Sequence, residues 1–165
     1  MKVTILGSGP SGGVPAVGLG WGKCDPTNPK NYRTRASILI EINNTNILVD
    51  TSPDLRTQLL RSQIKRLDAV IFTHSHADHL HGIDDLRGIN RSMNSPINIY
   101  ADDKTLNQIK TRFNYVLEPL SKSARGFYKP VLVAHEIGPG DVFKIENISV
   151  KAIDQDHGFS KTLGI

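Results

Sequence analysis

Six consecutive residues constrain the fold of this chain more than any others. The largely apolar run 67–72 (LDAVIF) leads through Thr73 into His74-Ser75-His76-Ala77-Asp78-His79, where four of six side chains are potential metal ligands. A short apolar run is typical of a buried strand, so the first histidine is expected at the C-terminal edge of that strand. Burying several such groups without partners costs about 1–3 kcal/mol each. The segment therefore predicts a metal site beside a strand end.

The spacing within this segment favours two adjacent metal positions. Histidines at i and i+2 of an extended or turning backbone direct their nitrogens into one pocket, which pairs His74 with His76. Asp78 and His79 follow the bend and face a neighbouring position. A solvated histidine-rich loop is the alternative interpretation. Two histidines outside the cluster are interpreted as ordinary side chains rather than ligands: His81 and His135.

Composition narrows the class of protein and the chemistry of the site. A chain of 165 residues that is 38% hydrophobic predicts one globular domain over 1–165. A formal charge of +4 suits an anionic substrate without requiring nucleic acid. The N-terminal apolar run 3–6 is too short for a signal peptide or a membrane span, so a cytoplasmic protein without a membrane partner is expected. Because Cys24 is the only cysteine, an intramolecular disulfide and a cysteine-only zinc knuckle are excluded, and the metal site must use histidine and carboxylate.

The pattern of apolar residues predicts an α/β (α+β) fold. Residues 3–6 form a first strand that ends in the glycine-rich turn 7–13, and residues 37–50 form a β-hairpin. That glycine-rich turn lacks the Lys-Ser/Thr ending of a Walker loop, so it is a weak candidate for phosphate binding. Further β-runs occur between residues 131 and 153, with no internal repeat or linker.

A helix is predicted to begin at Pro53 and Asp54, with the proline in its first turn. Its apolar side chains recur at helical spacing and should face the sheet: Leu55, Leu59, Leu60 and Ile64. Residues 119–130 carry three basic and two aromatic side chains without periodicity, and they are interpreted either as a lid or as a plain loop.

The His-x-His-x-Asp-His cluster resembles the signature of the metallo-β-lactamase fold. Four further segments look like successive blocks of the same family: residues 7–15, 31–37, 49–56 and 155–158. The resemblance therefore covers essentially the whole chain. The chain is most similar to the phosphoribosyl cyclic phosphodiesterase-like branch, with the tRNA 3′-processing endonucleases as more distant relatives.

This resemblance implies an αββα sandwich that holds one or two zinc or manganese ions where its two sheets meet. By motif, His157 joins the first pair of histidines at one metal, whereas Asp78 and His79 belong to the second. Asp78 also contacts the nucleophile in similar enzymes and is the candidate proton acceptor. Asp50 occupies the position of a carboxylate that orients ligands by hydrogen bonding, although a strand-end residue that starts a turn is an equal alternative.

Relatives continue beyond the equivalent of Ile165 and supply a bridging aspartate and a late histidine for the second metal. The eight residues after His157 contain neither type of side chain. The C-terminal part of the sandwich is therefore expected to be incomplete. An exposed sheet edge there would favour a second copy or a complementing chain.

Three functions are compatible with these features. The leading hypothesis is a metal-dependent hydrolase that uses a metal-activated water on a small cyclic or linear phosphodiester. A tRNA 3′-processing endoribonuclease is the second, with only residues 119–130 as local support for nucleic-acid binding. A catalytically impaired metal-binding remnant is the third, and the same fold also hosts thioester and lactone hydrolysis.

Overall fold

The computed structural model describes residues 1–158 and 160–165 as an α/β fold built around a six-stranded mixed sheet. The first three strands pair antiparallel, and the third to sixth pair parallel. Along the sheet the strands follow chain order: β1 (Lys2–Gly7), β2 (Ser37–Ile42), β3 (Thr45–Val49), β4 (Ala69–Ile71), β5 (Ile97–Ala101) and β6 (Leu132–Glu136).

Helices cover one face of this sheet, because a parallel strand pair needs a crossover connection, usually a helix. They are α1 (Leu55–Ser62), α2 (Ala77–Leu80), α3 (Leu86–Met93), α4 (Asp103–Arg112) and α5 (Asn114–Leu117), with short 3₁₀ turns at Pro29–Asn31 and Ile83–Asp85. Buried Leu55, Leu86 and Ile109 of these helices share one apolar cluster with Val70 and Ile99 of the sheet.

Two β-hairpins cover part of the opposite face. They consist of β7 (Val142–Ile145) with β8 (Ile148–Lys151), and of β9 (Ile153–His157) with β10 (Ser160–Gly164). Ile145, Val150 and Leu163 of these hairpins pack against Ile47 and Ile71 of the sheet. The layers are thus helices, sheet and hairpins, and the prediction of an α/β fold is confirmed. A second helical layer does not occur within residues 1–158 and 160–165.

The hairpins leave the edge of the main sheet uncovered at β1. Val3 and Ile5 are 50% and 69% exposed, and they pair with Ile40 and Ile38 of β2. Opposite residues of an antiparallel pair share one face of a sheet. An apolar strip on the N-terminal strand is therefore exposed.

The first helix differs from the sequence-based prediction. α1 begins at Leu55, and Asp54 is its N-cap residue, so the placement of Pro53 in the first helical turn was wrong. Leu60 is 63% exposed, whereas Leu55 and Leu59 are buried. The prediction that Leu60 faces the sheet was therefore wrong as well.

Among the described residues, none of the helices has both the length and the apolar character that crossing a bilayer demands.

Candidate metal centre

The predicted ligand segment lies at the C-terminal end of β4, as the sequence indicated, and the turn that follows β3 holds it in place. Thr51 is fully buried there: its N–H donates to the carbonyl of His79 at 2.7 Å, and its hydroxyl donates to the carbonyl of Leu80 at 2.9 Å. Gly82 closes the connection by donating to the carbonyl of Thr51. A Cβ atom on Gly82 would lie 2.0 Å from the carbonyl oxygen of Ser52, so only glycine fits at this approach.

Three histidines converge at this strand end. Each of His74, His76 and His157 offers one ligand atom, and these atoms all lie within 4.8 Å of one another. The His74 Nε2 and His76 Nδ1 atoms are 3.0 Å apart, and the ring centroids of His74 and His157 are 5.0 Å apart. The N–H of Leu163 donates to the carbonyl of Thr73, which places the β9–β10 hairpin, and with it His157, beside the cluster.

The protonation of His74 suits metal binding. Burial, reinforced by the neighbouring histidines, lowers the pKa of His74 to about 4. Its imidazole is therefore neutral at pH 7, which is the form that binds metals. Tetrahedral zinc, with Zn–N bonds of about 2.0–2.1 Å, needs ligand nitrogens roughly 3.3 Å apart. The imidazole donors suit a divalent ion, and the 3.0 Å between His74 Nε2 and His76 Nδ1 is close to this spacing.

Asp78 and His79 form a second pair next to the three histidines. The Asp78 Oδ2 and His79 Nε2 atoms are 3.4 Å apart, and the rings of His74 and His79 lie 4.2 Å apart between centroids. Burial lowers the pKa of His79, but the hydrogen bond to Asp50 and the nearby carboxylate charges outweigh it, so that the pKa is raised. The structure therefore brings all five predicted ligands together in two adjacent groups.

Asp50 lies behind these groups and binds both of its oxygens to protein donors. Its Oδ1 accepts from the Thr73 N–H at 2.8 Å, and its Oδ2 accepts from the Thr73 hydroxyl at 2.8 Å and lies 2.6 Å from His79 Nδ1. Asp50 is buried and has φ +63°, a conformation in which aspartate is several-fold enriched. The geometry is the one expected of a carboxylate that orients a ligand, and that role stays a prediction.

Sequence reasoning missed two side chains that contact the ligand segment. Thr73 donates to Asp50 and also hydrogen-bonds His74 Nδ1 at 2.9 Å. Its position directly before the first histidine was the available signal. Arg112, the last residue of α4, donates from Nη1 to the carbonyl of Ser75 at 3.1 Å. No local pattern in the sequence marks that contact, because it depends on how α4 packs.

The other candidate features lie outside the centre. His81 contacts Phe113 edge-on, and His135 stacks on Tyr100, which is consistent with their interpretation as ordinary side chains.

In the loop 119–130, Phe127 is buried. The Lys129 Nζ group donates to the backbone carbonyls of Tyr115, in α5, and of Glu118, directly after α5. The end of this loop is therefore fixed to the body of the protein.

The glycine-rich segment 7–13 behaves as a turn. The N–H of Gly9 donates to the carbonyl of Thr34 at 2.7 Å, and the N–H of Gly13 donates to the carbonyl of Pro10 at 2.8 Å. Two of its N–H groups are thus occupied by backbone carbonyls, in line with its weak candidacy for phosphate binding.

Comparison with protein families matches residues 45–164 to a model described as a beta-lactamase superfamily domain. Among curated proteins, the chain is 31% identical over 147 residues to ribonuclease Z of Listeria welshimeri, covering 86% of this chain and 45% of that protein. It is 36% identical over 165 residues to an octanoyltransferase of Porphyromonas gingivalis, covering 99% of this chain and 32% of that protein. The chain thus spans less than half of the length of the first of these relatives and about a third of the second.

Comparison with solved structures supports the same fold. A diphosphatase of the PhnP family superposes with a TM-score of 0.84 at 30% identity, covering 98% of this chain and 59% of that chain. Zinc-bound PqqB from Methylobacterium extorquens has a TM-score of 0.67 at 24% identity, covering 93% and 52% of the two chains. The short form of human tRNase Z has a TM-score of 0.63 at 22% identity, covering 99% and 63%. The last two support the fold alone.

Proposed function

Because this chain belongs to the metallo-β-lactamase superfamily of hydrolases, we propose that it is a metal-dependent phosphodiesterase acting on a small cyclic or linear phosphodiester. The observation that carries the proposal is the convergence of three imidazoles within 4.8 Å, with Asp78 and His79 beside them. The PhnP-family diphosphatase, 30% identical over nearly the whole chain, supports hydrolysis at phosphorus. The basic composition suits an anionic substrate.

The donor set indicates which residues hold the metal. His74, His76 and His157 would bind one zinc or manganese ion, and Asp78 with His79 would bind at the adjacent position. A divalent ion, when bound, supplies Lewis acidity that makes hydroxide available at neutral pH.

The chain's own side chains supply orientation and proton transfer. Asp78 is half-buried next to His79, so its carboxylate is placed to accept a proton from water at the cluster. Asp50 fixes the ring of His79 by the hydrogen bond to Nδ1, which leaves Nε2 facing Asp78. His76 and His157 are exposed, so a substrate reaches the cluster from solvent on their side.

Substitution of one ligand tests the proposal. His76→Ala should lower zinc-dependent hydrolysis of bis(p-nitrophenyl) phosphate and of a 2′,3′-cyclic nucleotide by roughly 100-fold or more, because it removes an imidazole donor from the cluster. His135→Ala removes a histidine outside the cluster and serves as the matched control. Equal activity of His76→Ala and the unmodified protein would refute the proposal.

A second candidate function is endonucleolytic RNA processing, supported by the 31% identity to ribonuclease Z. Binding of a tRNA precursor that weakens steeply as salt rises, followed by 3′ cleavage, would favour it, because phosphate contacts release counterions. Hydrolysis of small phosphodiesters without such binding would favour the first proposal. A catalytically impaired remnant is the third alternative, and any hydrolysis that tracks bound metal would exclude it.

A further inference from the structure

Arg112 lies beside the metal centre although it comes from a distant element. Its Nη1 donates to the carbonyl of Ser75 at 3.1 Å, and Ser75 stands between the two ligands His74 and His76. The side chain is at the exposed end of α4. This contact holds a guanidinium against the backbone between two residues of the histidine cluster, and both Arg112 and His76 are exposed.

Most of the donor capacity of Arg112 is not used by the described residues. A guanidinium carries five N–H donors in a planar fork that matches phosphate and carboxylate oxygens. Only the bond to Ser75 is recorded for Arg112 within residues 1–158 and 160–165, and no carboxylate there lies within ion-pair distance of it. Its positive charge is therefore not neutralised by the described part of the protein.

A second arginine near the centre provides the contrast. Arg35 interacts with the charge of Asp78, but its Nε and Nη2 each donate to Asp54 at 2.8 Å. A bidentate carboxylate neutralises a guanidinium and occupies its fork. Arg35 is thus committed within the fold, whereas the only hydrogen bond of Arg112 to the described residues goes to the ligand segment itself, at Ser75.

From this arrangement we infer that Arg112 determines specificity for anionic substrates by donating to a non-bridging phosphate oxygen at the metal centre. The inference rests on the proposed function and deepens it, because it names a substrate-contacting residue outside the ligand motif. A guanidinium favours a phosphate oxygen over the carbonyl of a neutral ester, since the charge-assisted bond is the stronger one.

The test compares three variants of zinc-loaded protein: Arg112→Gln, Arg112→Lys and Lys110→Gln. Lys110 is an exposed cation of the same helix end with no recorded contact to the ligand segment, so its variant is the matched control. Calorimetry with inorganic phosphate should show a Kd raised roughly 10-fold or more in Arg112→Gln. The Kd should be only partly restored in Arg112→Lys, which keeps the charge but loses the fork, and unchanged in Lys110→Gln. Zinc content should be the same in all three.

Kinetics provide a second readout. Arg112→Gln should raise KM for bis(p-nitrophenyl) phosphate more than it lowers kcat, and it should leave hydrolysis of neutral p-nitrophenyl acetate unchanged. The inference is overturned if Arg112→Gln binds phosphate as tightly as Lys110→Gln does, or if the unmodified protein binds no phosphate. It is also overturned if Arg112→Gln loses its zinc, because Arg112 would then only hold the ligand loop in place. Phosphate binding that depends on Arg112 in a protein without phosphodiesterase activity would refute the proposed function alone.

Discussion

At the scale of single residues, Asp50 shows how the centre is held from behind. Its carboxylate accepts from the backbone and hydroxyl of Thr73 and contacts His79 at 2.6 Å, so both oxygens are occupied by neighbours of the ligands. A carboxylate with such partners fixes the orientation of an imidazole and raises its basicity as a ligand. Any influence of Asp50 on a bound metal would therefore pass through His79.

Asp50→Asn should lower zinc affinity by roughly 10–100-fold, because an amide nitrogen replaces one of the two accepting oxygens and the ring of His79 loses its fixed orientation. Competition titration against a chromophoric chelator measures the effect. Asp68→Asn is the matched control, since Asp68 is likewise a largely buried carboxylate that accepts a backbone N–H, from Asn46, but lies at the opposite end of β4. Equal zinc affinities of the two variants would contradict the role assigned to Asp50.

The sequence predicted that these side chains lie together at a strand end, but it did not predict the contacts that support them, and their role as metal ligands stays a prediction. The spacing of His74, His76, Asp78 and His79 is local, and local spacing is visible in a sequence. His157 and Asp50 were identified only through family resemblance, because their proximity depends on how β9 and β3 pack. Arg112 is 37 positions from Ser75, and no periodicity connects residues at that distance.

At the scale of elements, a long-range ion pair engages the N-cap side chain of α1. Asp54 is the N-cap residue but makes no side-chain cap hydrogen bond. Its carboxylate instead accepts from the backbone N–H, Nε and Nη2 of Arg35. The local rule of helix capping was therefore overridden by a partner 19 positions away. This pair joins the segment before β2 to the helix that follows the Asp50 turn.

The ion pair predicts a pH-dependent contribution to stability. The hydrogen bond from Arg35, which outweighs the effect of burial, lowers the pKa of Asp54 below its ordinary value of 3.8. A lowered folded-state pKa stabilises the protein above pH 3.8, and this stabilisation is lost as the pH falls through the lowered value. Asp54→Asn should therefore reduce the free energy of unfolding by about 1–2 kcal/mol at pH 7, with the difference shrinking below pH 3.8.

Urea denaturation between pH 3 and pH 7 measures this dependence. Glu118→Gln is a suitable control, because Glu118 is exposed and has no recorded side-chain ion pair within residues 1–158 and 160–165. A deficit of Asp54→Asn that stays constant across this pH range would exclude the ion pair as its cause.

At the scale of the whole molecule, layers and connections were harder to predict than strands. Apolar runs indicated most strands, since burial on both faces leaves a local pattern. The sequence did not show which hairpin covers which part of the sheet, nor that Val3 and Ile5 stay exposed on β1. Such features depend on contacts between elements far apart in the chain.

The ligand sets of the whole chain predict unequal metal sites. Three imidazoles and a water would complete a tetrahedral zinc site, whereas the second position would take only two ligands, Asp78 and His79, from the described residues. The chain 1–165 should therefore retain one zinc per monomer after gel filtration, as measured by elemental analysis with light scattering. Free zinc at 100 times its Kd stabilises the fold by about 2.7 kcal/mol, which should raise Tm by roughly 5–10 °C for a chain of this size. His76→Ala should lose both the bound zinc and the shift in Tm.

Two zinc ions held tightly by a monomer would show that the second position has ligands beyond Asp78 and His79. Two ions held only by a dimer would mean that a second copy completes that position.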